Sequence, residues 1–338
     1  MTHIQFLSTP LRVRENQVKN RIVVPPMADF GATDADGLVN ARHLKHYAEL
    51  ADGGAGIIII EACTVCRVHE ERNTIGVFDD ICIPGMTHLA KVAKQNHAVA
   101  LVQLLNAGIN YLPYRSIEEI PKDVFYKYKQ EFIDAAIRCK KAGFDGIELH
   151  AAHGFYLNQV IETSERTDGY GGTFNCRVRL LSELIQEIRQ QCGTDFIIAV
   201  RFGNHSTDEL IATGKIIEAA GGDILDISSG MGAYQKPEDF PFDSKIFAAS
   251  CVKKEVSLPV ICVGNIYNGE VAEQILQDGY ADFIAVGRGH LCDPAWGNKV
   301  LYGKEPTKCL HCRNCMWYID GENVPLSRKE ERMKRYEV

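Results

Sequence analysis

The stretch that decides the fold is Phe144-Asp145-Gly146-Ile147-Glu148-Leu149-His150-Ala151-Ala152-His153-Gly154. Its first part, residues 146–151, is a short, mainly apolar run entered from Gly143 and preceded by an amphipathic stretch over 126–142. A helix that stops at a glycine, followed at once by a compact apolar run, reads as a helix with a left-handed C-cap feeding a buried strand. The same unit recurs along the chain. Comparable runs lie at 21–27, 56–62, 99–105, 196–202, 224–228, 259–264 and 282–287, which makes eight with 146–151. Helical patterns lie at 44–52, 86–96, 126–142, 178–191, 209–220, 246–254, 269–277 and 294–302, several closing on a glycine, as at Gly143, Gly193, Gly221 and Gly279.

Apolar strands separated by crossover helices imply a parallel sheet. Right-handed crossovers leave a doubly wound sheet or a closed barrel. Eight units favour the α/β barrel, a (β/α)8 TIM barrel. We expect a single domain over residues 1–303 and a short cysteine-containing tail over 304–338.

Composition agrees. The chain has 338 residues, 46% hydrophobic and 24% charged, enough for a large core in an ordered protein. No run of 18 or more apolar residues occurs, and Met1 to Arg14 lacks the basic stretch and apolar core of a secretory signal, so a cytoplasmic protein with no membrane partner is expected. A net charge of −7 argues against nucleic acid as a partner, because a phosphate-backbone footprint needs an excess of Lys and Arg. Of the twelve cysteines, Cys139, Cys192, Cys251 and Cys262 sit singly in apolar or helical contexts and read as reduced packing residues. Cys63 and Cys66 lack a thioredoxin-like context and read the same way.

In a barrel of this kind the chemistry lies at the C-terminal ends of the strands. Those ends carry Pro26-Met27, Glu61-Ala62, Gln103, His150 to His153, Arg201, Ser228-Ser229-Gly230, Gly264-Asn265 and Gly287-Arg288. The glycines on the last two strands, with Arg288, offer bare amides and a guanidinium where barrels often bind phosphate, so a phosphate-bearing ligand is expected. His150 and His153 could donate hydrogen bonds to a carbonyl oxygen and stabilise the charge that develops on it. A divalent metal site and plain structural histidines are the alternatives. A metal would want a further ligand, and we expect Glu148 to point instead to the helical layer.

Taken together these residues resemble the old yellow enzymes, the FMN-dependent ene-reductases. The match runs through His150-Ala151-Ala152-His153-Gly154 and Arg166-Thr167-Asp168-Gly169-Tyr170-Gly171-Gly172, with Asn20 to Val23, Val102-Gln103-Leu104, Val200-Arg201 and Val286-Gly287-Arg288 in the family's order over about residues 5–303. The resemblance implies FMN across the barrel mouth, NAD(P)H as reductant and an enone or enoate substrate. Pro26, Met27 and Ala62 would line the ring, Gln103 would bind its pyrimidine edge, and Arg201 would sit near N1 and the C2 oxygen. Gly230, Gly264, Asn265, Gly287 and Arg288 complete the cofactor set. His150 and His153 would hold the substrate carbonyl for hydride delivery in a ping-pong cycle. A homo-oligomer is left open.

Four departures stand out. Phe155 occupies the family's place for a proton-donating tyrosine, which leaves Tyr156 as the nearest phenol and a candidate catalytic residue. Ala28 stands where some bacterial members carry a redox-tuning cysteine, and residues 160–165 are about two shorter than the common pattern. The tail carries Cys309, Cys312 and Cys315, which resemble three of the four iron-sulfur ligands of the larger relatives, the 2,4-dienoyl-CoA reductases and trimethylamine dehydrogenase. No cysteine follows Cys315, so a cluster, a zinc site using His311 and free thiols stay open. Two other functions compete with ene-reduction. A flavin-binding barrel with altered or lost ene-reductase activity fits Phe155. A sugar-phosphate aldolase or isomerase would share the phosphate site but would need a lysine or carboxylate base at a strand end, and no strand end offers a lysine.

Overall fold

The computed structural model describes residues 4–28, 33–67, 74–109, 111–163, 165–203, 206–229 and 234–311. A short antiparallel hairpin opens the chain, β1 (Leu11–Val13) against β2 (Asn16–Val18). Eight parallel strands then close into a barrel: β3 (Ile22–Val24), β4 (Ile57–Thr64), β5 (Val99–Leu105), β6 (Gly146–Ala151), β7 (Ile197–Phe202), β8 (Ile224–Ile227), β9 (Val260–Val263) and β10 (Phe283–Ala285), with β10 pairing β3. The helices are α1 (Ala41–Asp52), α2 (Ile83–Ala93), α3 (Lys122–Lys141), α4 (Tyr156–Thr163), α5 (Phe174–Cys192), α6 (Thr207–Ala220), α7 (Ser244–Lys253), α8 (Gly269–Gln277), α9 (Gly287–Cys292) and α10 (Trp296–Leu301). The expected (β/α)8 barrel is the observed fold, and the strands at 99–105 and 146–151 end where the pattern places them.

Both faces of these strands are buried, which explains their apolar runs. One face builds the barrel interior from Val23, Ile57, Ile59, Val99, Leu101, Ile197, Ala199, Ile224, Ile261, Phe283 and Ala285. The other packs Ile58, Ile60, Leu104, Ile147, Leu149, Ile198 and Val200 against the helices. Gly143, Gly193, Gly221 and Gly279 have positive φ of 90°, 81°, 94° and 71°, which a glycine adopts freely where a helix ends before the next strand, and Gly221 takes the left-handed helical turn itself.

Three elements escape the periodicity. The hairpin is too short to show alternation, yet Val13 and Val18 close the interior from the N-terminal end, and Arg14 ion-pairs with buried Asp223, which Arg189 also holds at 2.5 Å. Helices α4 and α9 fall inside what reads as loop. The two long connections, after β5 and after β6, are tied together by Arg166, which is 8% exposed. Its guanidinium donates to the carbonyls of Ile117 and Ile120 at 2.8 and 2.7 Å, pairs with Asp168 at 2.5 Å and lies 4.5 Å over the ring of Phe125. The loop around Arg166 and Asp168 therefore acts as a staple between the two connections.

Candidate active site

Strand register sets the site. Cα pairing aligns His150 of β6 with Arg201 of β7 and Arg201 with Asp226 of β8, while Gln103 of β5 faces Glu148 one layer lower. Residues two apart on a strand share a face, so Glu148 points into the barrel with His150. This corrects the expectation that Glu148 faces the helical layer. Gln103 donates from Nε2 to Glu148 Oε1 at 2.8 Å, and Arg201 Nε lies 3.3 Å from Asp226 Oδ2. All five polar side chains are buried.

The two histidines meet at the mouth with ring centroids 4.9 Å apart and near-perpendicular planes. His153 takes φ 62°, a left-handed conformation that costs energy for a side chain with a Cβ and turns the chain sharply at the strand end. Buried Asn158 secures that turn, accepting from the Gly154 amide at 2.8 Å and donating to the Gly203 carbonyl at 3.1 Å. Burial, then the neighbouring His153 and Arg201, holds His150 far below the ordinary histidine range. His153 is shifted the same way by burial, Arg201 and Lys245, although its outer face opens to solvent. Both imidazoles are neutral at physiological pH.

Their protons can be assigned from their partners. The Ala152 amide donates to His150 Nδ1 at 3.4 Å, leaving the proton on Nε2. Ser228 Oγ accepts from Arg201 Nη2 at 3.3 Å and lies 2.9 Å from His153 Nε2. When the Ser228 hydroxyl donates to that nitrogen, His153 carries its own proton on Nδ1. His150 thus keeps an N–H that these contacts leave available, and His153 adds a second in its Nδ1-protonated tautomer, the feature an anionic or carbonyl oxygen requires.

Beside them a cavity of about 420 Å³ is lined by Pro25, Pro26, Met27, Ala28, His153, Arg201, Ser228, Asp243, Lys245, Gly264, Asn265, Tyr267, Gly287 and Arg288 among others. Arg201, Lys245 and Arg288 face one carboxylate, Asp243, so the lining favours an anion. At its outer corner Arg288 Nη2 donates to Asn265 Oδ1 at 2.8 Å and to Tyr267 Oη at 2.5 Å, and Asn265 Nδ2 donates to Asp243 at 2.7 Å. Gly264 has φ 144°, and a Cβ there would come within 2.9 Å of Asp243. The backbone at this corner must therefore stay bare, which is what close approach of a phosphate needs. Size, charge and the bare amides fit FMN.

Most of the expected residues converge here. Pro26, Met27, His153, Arg201, Gly264, Asn265, Gly287 and Arg288 line the cavity. Gln103 and His150 lie in the buried layer joined to it, and Ala62, half-buried at the irregular end of β4, is not in the lining. Gly230 lies outside the described residues. Tyr156 goes elsewhere: it opens α4, is fully buried, and packs its ring 6.0 Å from Phe125 and 5.6 Å from Tyr128. A helix starting there turns its first side chain toward α3, so the phenol is absent from the cavity. Phe155 is the residue beside His150, with ring centroids 4.8 Å apart.

Asp243, Lys245 and Tyr267 were missed because they come from helix starts and loops rather than strand ends. Tyr267 lies shortly after β9, but Asp243 and Lys245 come long after β8, at the start of α7, and carried no strand-end signal. The tail reaches this corner too. His311 packs its ring 4.6 Å from Tyr267 and half-exposed Cys309 lies nearby, whereas Cys312 and Cys315 lie outside the described residues. Among the described residues no group of three or more His, Cys, Asp or Glu side chains could hold a metal ion. Cys63 and Cys66 are buried, and burial pushes the Cys63 thiol up, which suits packing.

Fold and site together define a parallel (β/α)8 barrel with an anion-binding mouth of flavin-enzyme type. The chain belongs to the NADH:flavin oxidoreductase / NADH oxidase family, whose model matches residues 6–306. An NADH oxidase of Thermoanaerobacter brockii is 34% identical over 349 residues, covering 92% of this chain and 53% of that protein. An NADPH dehydrogenase of Geobacillus thermodenitrificans is 32% identical over 315 residues, covering 86% of this chain and 92% of that protein. Thus the chain spans about half the length of the first of these relatives. In structure, an old yellow enzyme homologue from Zymomonas mobilis superposes with a TM-score of 0.76 at 21% identity, over 90% of this chain and 95% of that one. The cofactors that this family assigns are FMN and a reduced nicotinamide. Among the described residues no helix is long and apolar enough to cross a membrane.

Proposed function

We propose that the protein is an FMN-dependent ene-reductase that uses NADH or NADPH to reduce the C=C bond of α,β-unsaturated carbonyl compounds. The observation that carries this reading is the pair of neutral imidazoles beside Arg201 at one end of a cavity lined by Arg201, Lys245 and Arg288. Bound there, FMN supplies hydride transfer, from nicotinamide to flavin and from flavin to the alkene in a ping-pong cycle. Gln103 and Arg201 hold the pyrimidine edge, and the fixed charge of Arg201 favours electron-rich flavin. Gly264, Gly287 and Arg288 hold the phosphate, with Asn265 accepting from Arg288 beside it. His150 and His153 hydrogen-bond the substrate carbonyl oxygen and stabilise the charge that builds on it. Phe155 cannot donate a proton and Tyr156 is turned away, so water delivers the proton to the α-carbon.

The test is anaerobic. The purified protein should be yellow, lose its oxidised-flavin absorbance on addition of NADH or NADPH, and regain it when 2-cyclohexen-1-one is added. A protein that ignores FMN sinks the reading. One that is reduced by nicotinamide but not reoxidised by the enone supports the second reading, a flavin barrel without ene-reductase activity, which the packing of Phe155 against His150 favours.

A further inference from the structure

Below the two histidines the barrel interior holds two carboxyl groups and one guanidinium. Glu148 and Asp226 are 0% exposed and their side chains meet, Gln103 is 2% exposed and Arg201 8%. The charged groups acting on Glu148 are Asp226 of β8 and Arg201 of β7, with Gln103 of β5 as its uncharged partner and neutral His150 above it on its own strand. Two carboxylates and one cation would leave a net negative charge in an apolar interior, where like charges in contact cannot both ionise. One proton must stay.

Its location follows from the contacts. Asp226 lies 3.3 Å from Arg201 Nε and keeps the negative charge. Glu148 has no cation of its own in contact. Burial first, then the Asp226 charge, raises the Glu148 carboxyl, and burial raises Asp226 while Arg201 and a hydrogen bond from Glu148 pull it back down. Glu148 is therefore the donor and Asp226 the acceptor. The remaining Glu148 oxygen, Oε1, is a carbonyl oxygen that only accepts, so it must meet the NH2 end of the Gln103 amide, as the 2.8 Å contact has it. That fixes which way round the amide stands.

We propose that Glu148 is a positioning residue for the flavin pyrimidine edge: as a neutral acid it keeps its proton and donates a hydrogen bond to Asp226 while accepting from Gln103, so that Gln103 Oε1 is left as an acceptor and Arg201 keeps one counter-charge. The proposal rests on the reading that Gln103 and Arg201 hold that edge. Its particular consequence is that an amide can replace the acid, because Gln at 148 offers the same acceptor oxygen and donates N–H to Asp226.

The experiment compares wild type, Glu148→Gln and Glu148→Met in the full-length protein by three readouts. In the first, infrared difference spectra at pH 8 should show a carboxylic-acid C=O band in the wild type that Glu148→Gln lacks, with or without FMN. In the second, FMN affinity should be kept within about twofold in Glu148→Gln and weakened about 3- to 10-fold in Glu148→Met, the range for a displaced neutral hydrogen bond. In the third, the flavin midpoint potential should follow parallel lines against pH from 6 to 9 in wild type and Glu148→Gln. A missing infrared band, equal damage in both variants, or a bend in the wild-type line absent from Glu148→Gln overturns the proposal. Wild-type protein that shows the band but binds no FMN instead fails the site reading, and the positioning role with it.

Discussion

His153 Nε2 lies 2.9 Å from the hydroxyl oxygen of Ser228, which joins the turn after β6 to the end of β8. The same hydroxyl accepts from Arg201, so one side chain links the imidazole proposed to meet substrate oxygen with the guanidinium proposed to meet the flavin. Ser228→Ala should free both. We expect phenol affinity, a probe of the histidine pair, to fall about 3- to 10-fold, the worth of a neutral hydrogen bond, with FMN still bound. Titration of the flavin charge-transfer band with a phenol checks this, and an unchanged dissociation constant refutes the link.

Replacing either histidine separates the half-reactions. His150→Ala or His153→Ala should lower enone reduction by about 100- to 1,000-fold, the usual cost of an oxyanion donor, while reduction of the flavin by NADH is less affected. Stopped-flow measurement of each half-reaction decides. Equal losses in both would indicate a damaged flavin site.

Arg288 is fixed by its contacts with Asn265 and Tyr267 at the corner proposed to take the phosphate. Arg288→Ala removes a charge-assisted partner worth roughly 1.5 to 3 kcal/mol, so FMN should bind about 10- to 150-fold more weakly. Fluorescence titration of the apoprotein with FMN tests it. Unchanged affinity would move the phosphate elsewhere.

Acid should destabilise the fold through buried histidines. His290 is fully buried, its Nδ1 2.6 Å from the Val286 carbonyl, and burial lowers it to about 4. An unfolded histidine titrates near 6.5. Between pH 6.5 and 4 the unfolded chain binds the extra proton, so this contribution is complete above 6.5 and is lost as pH falls toward 4, by at most about 1.4 kcal/mol per pH unit. Urea unfolding of His290→Phe should show a shallower loss over that window than wild type. Parallel curves would mean that His290 titrates normally in the fold.

Tyr156→Phe should leave both half-reactions intact. Its hydroxyl is buried with no hydrogen-bond partner among the described residues, so removing it should be neutral or stabilise the fold by about 1 kcal/mol. Phe155→Tyr should instead speed enone reduction, since it puts a phenol beside His150. Loss of alkene reduction in Tyr156→Phe would restore that residue as the proton donor.

Much of the molecule was legible in the chain. Apolar runs alternating with amphipathic stretches, several of which close on a glycine, are a local property, and they gave the eight strands and the strand ends where Arg201, Gly264 and Arg288 sit. The phase of each strand was harder to read. Because both faces of a barrel strand are buried, Ile147 and Leu149 look no different from inward residues until His150 is known to point inward. Glu148 was misassigned for that reason, and the hairpin of β1 and β2 was too short to have a readable period.

What the sequence determined by itself was the set of elements and the residue types gathered at one end of the barrel, because these follow from near-neighbour periodicity. Only the tertiary structure decided which side chains touch. Contacts such as Glu148 with Asp226, His153 with Ser228 and Arg288 with Tyr267 depend on the stagger between strands and on where α4 and α7 begin. A shift of one residue in strand phase would turn Glu148 to the helices and remove the counter-charge network beneath the mouth, since neighbouring side chains along a strand point to opposite faces.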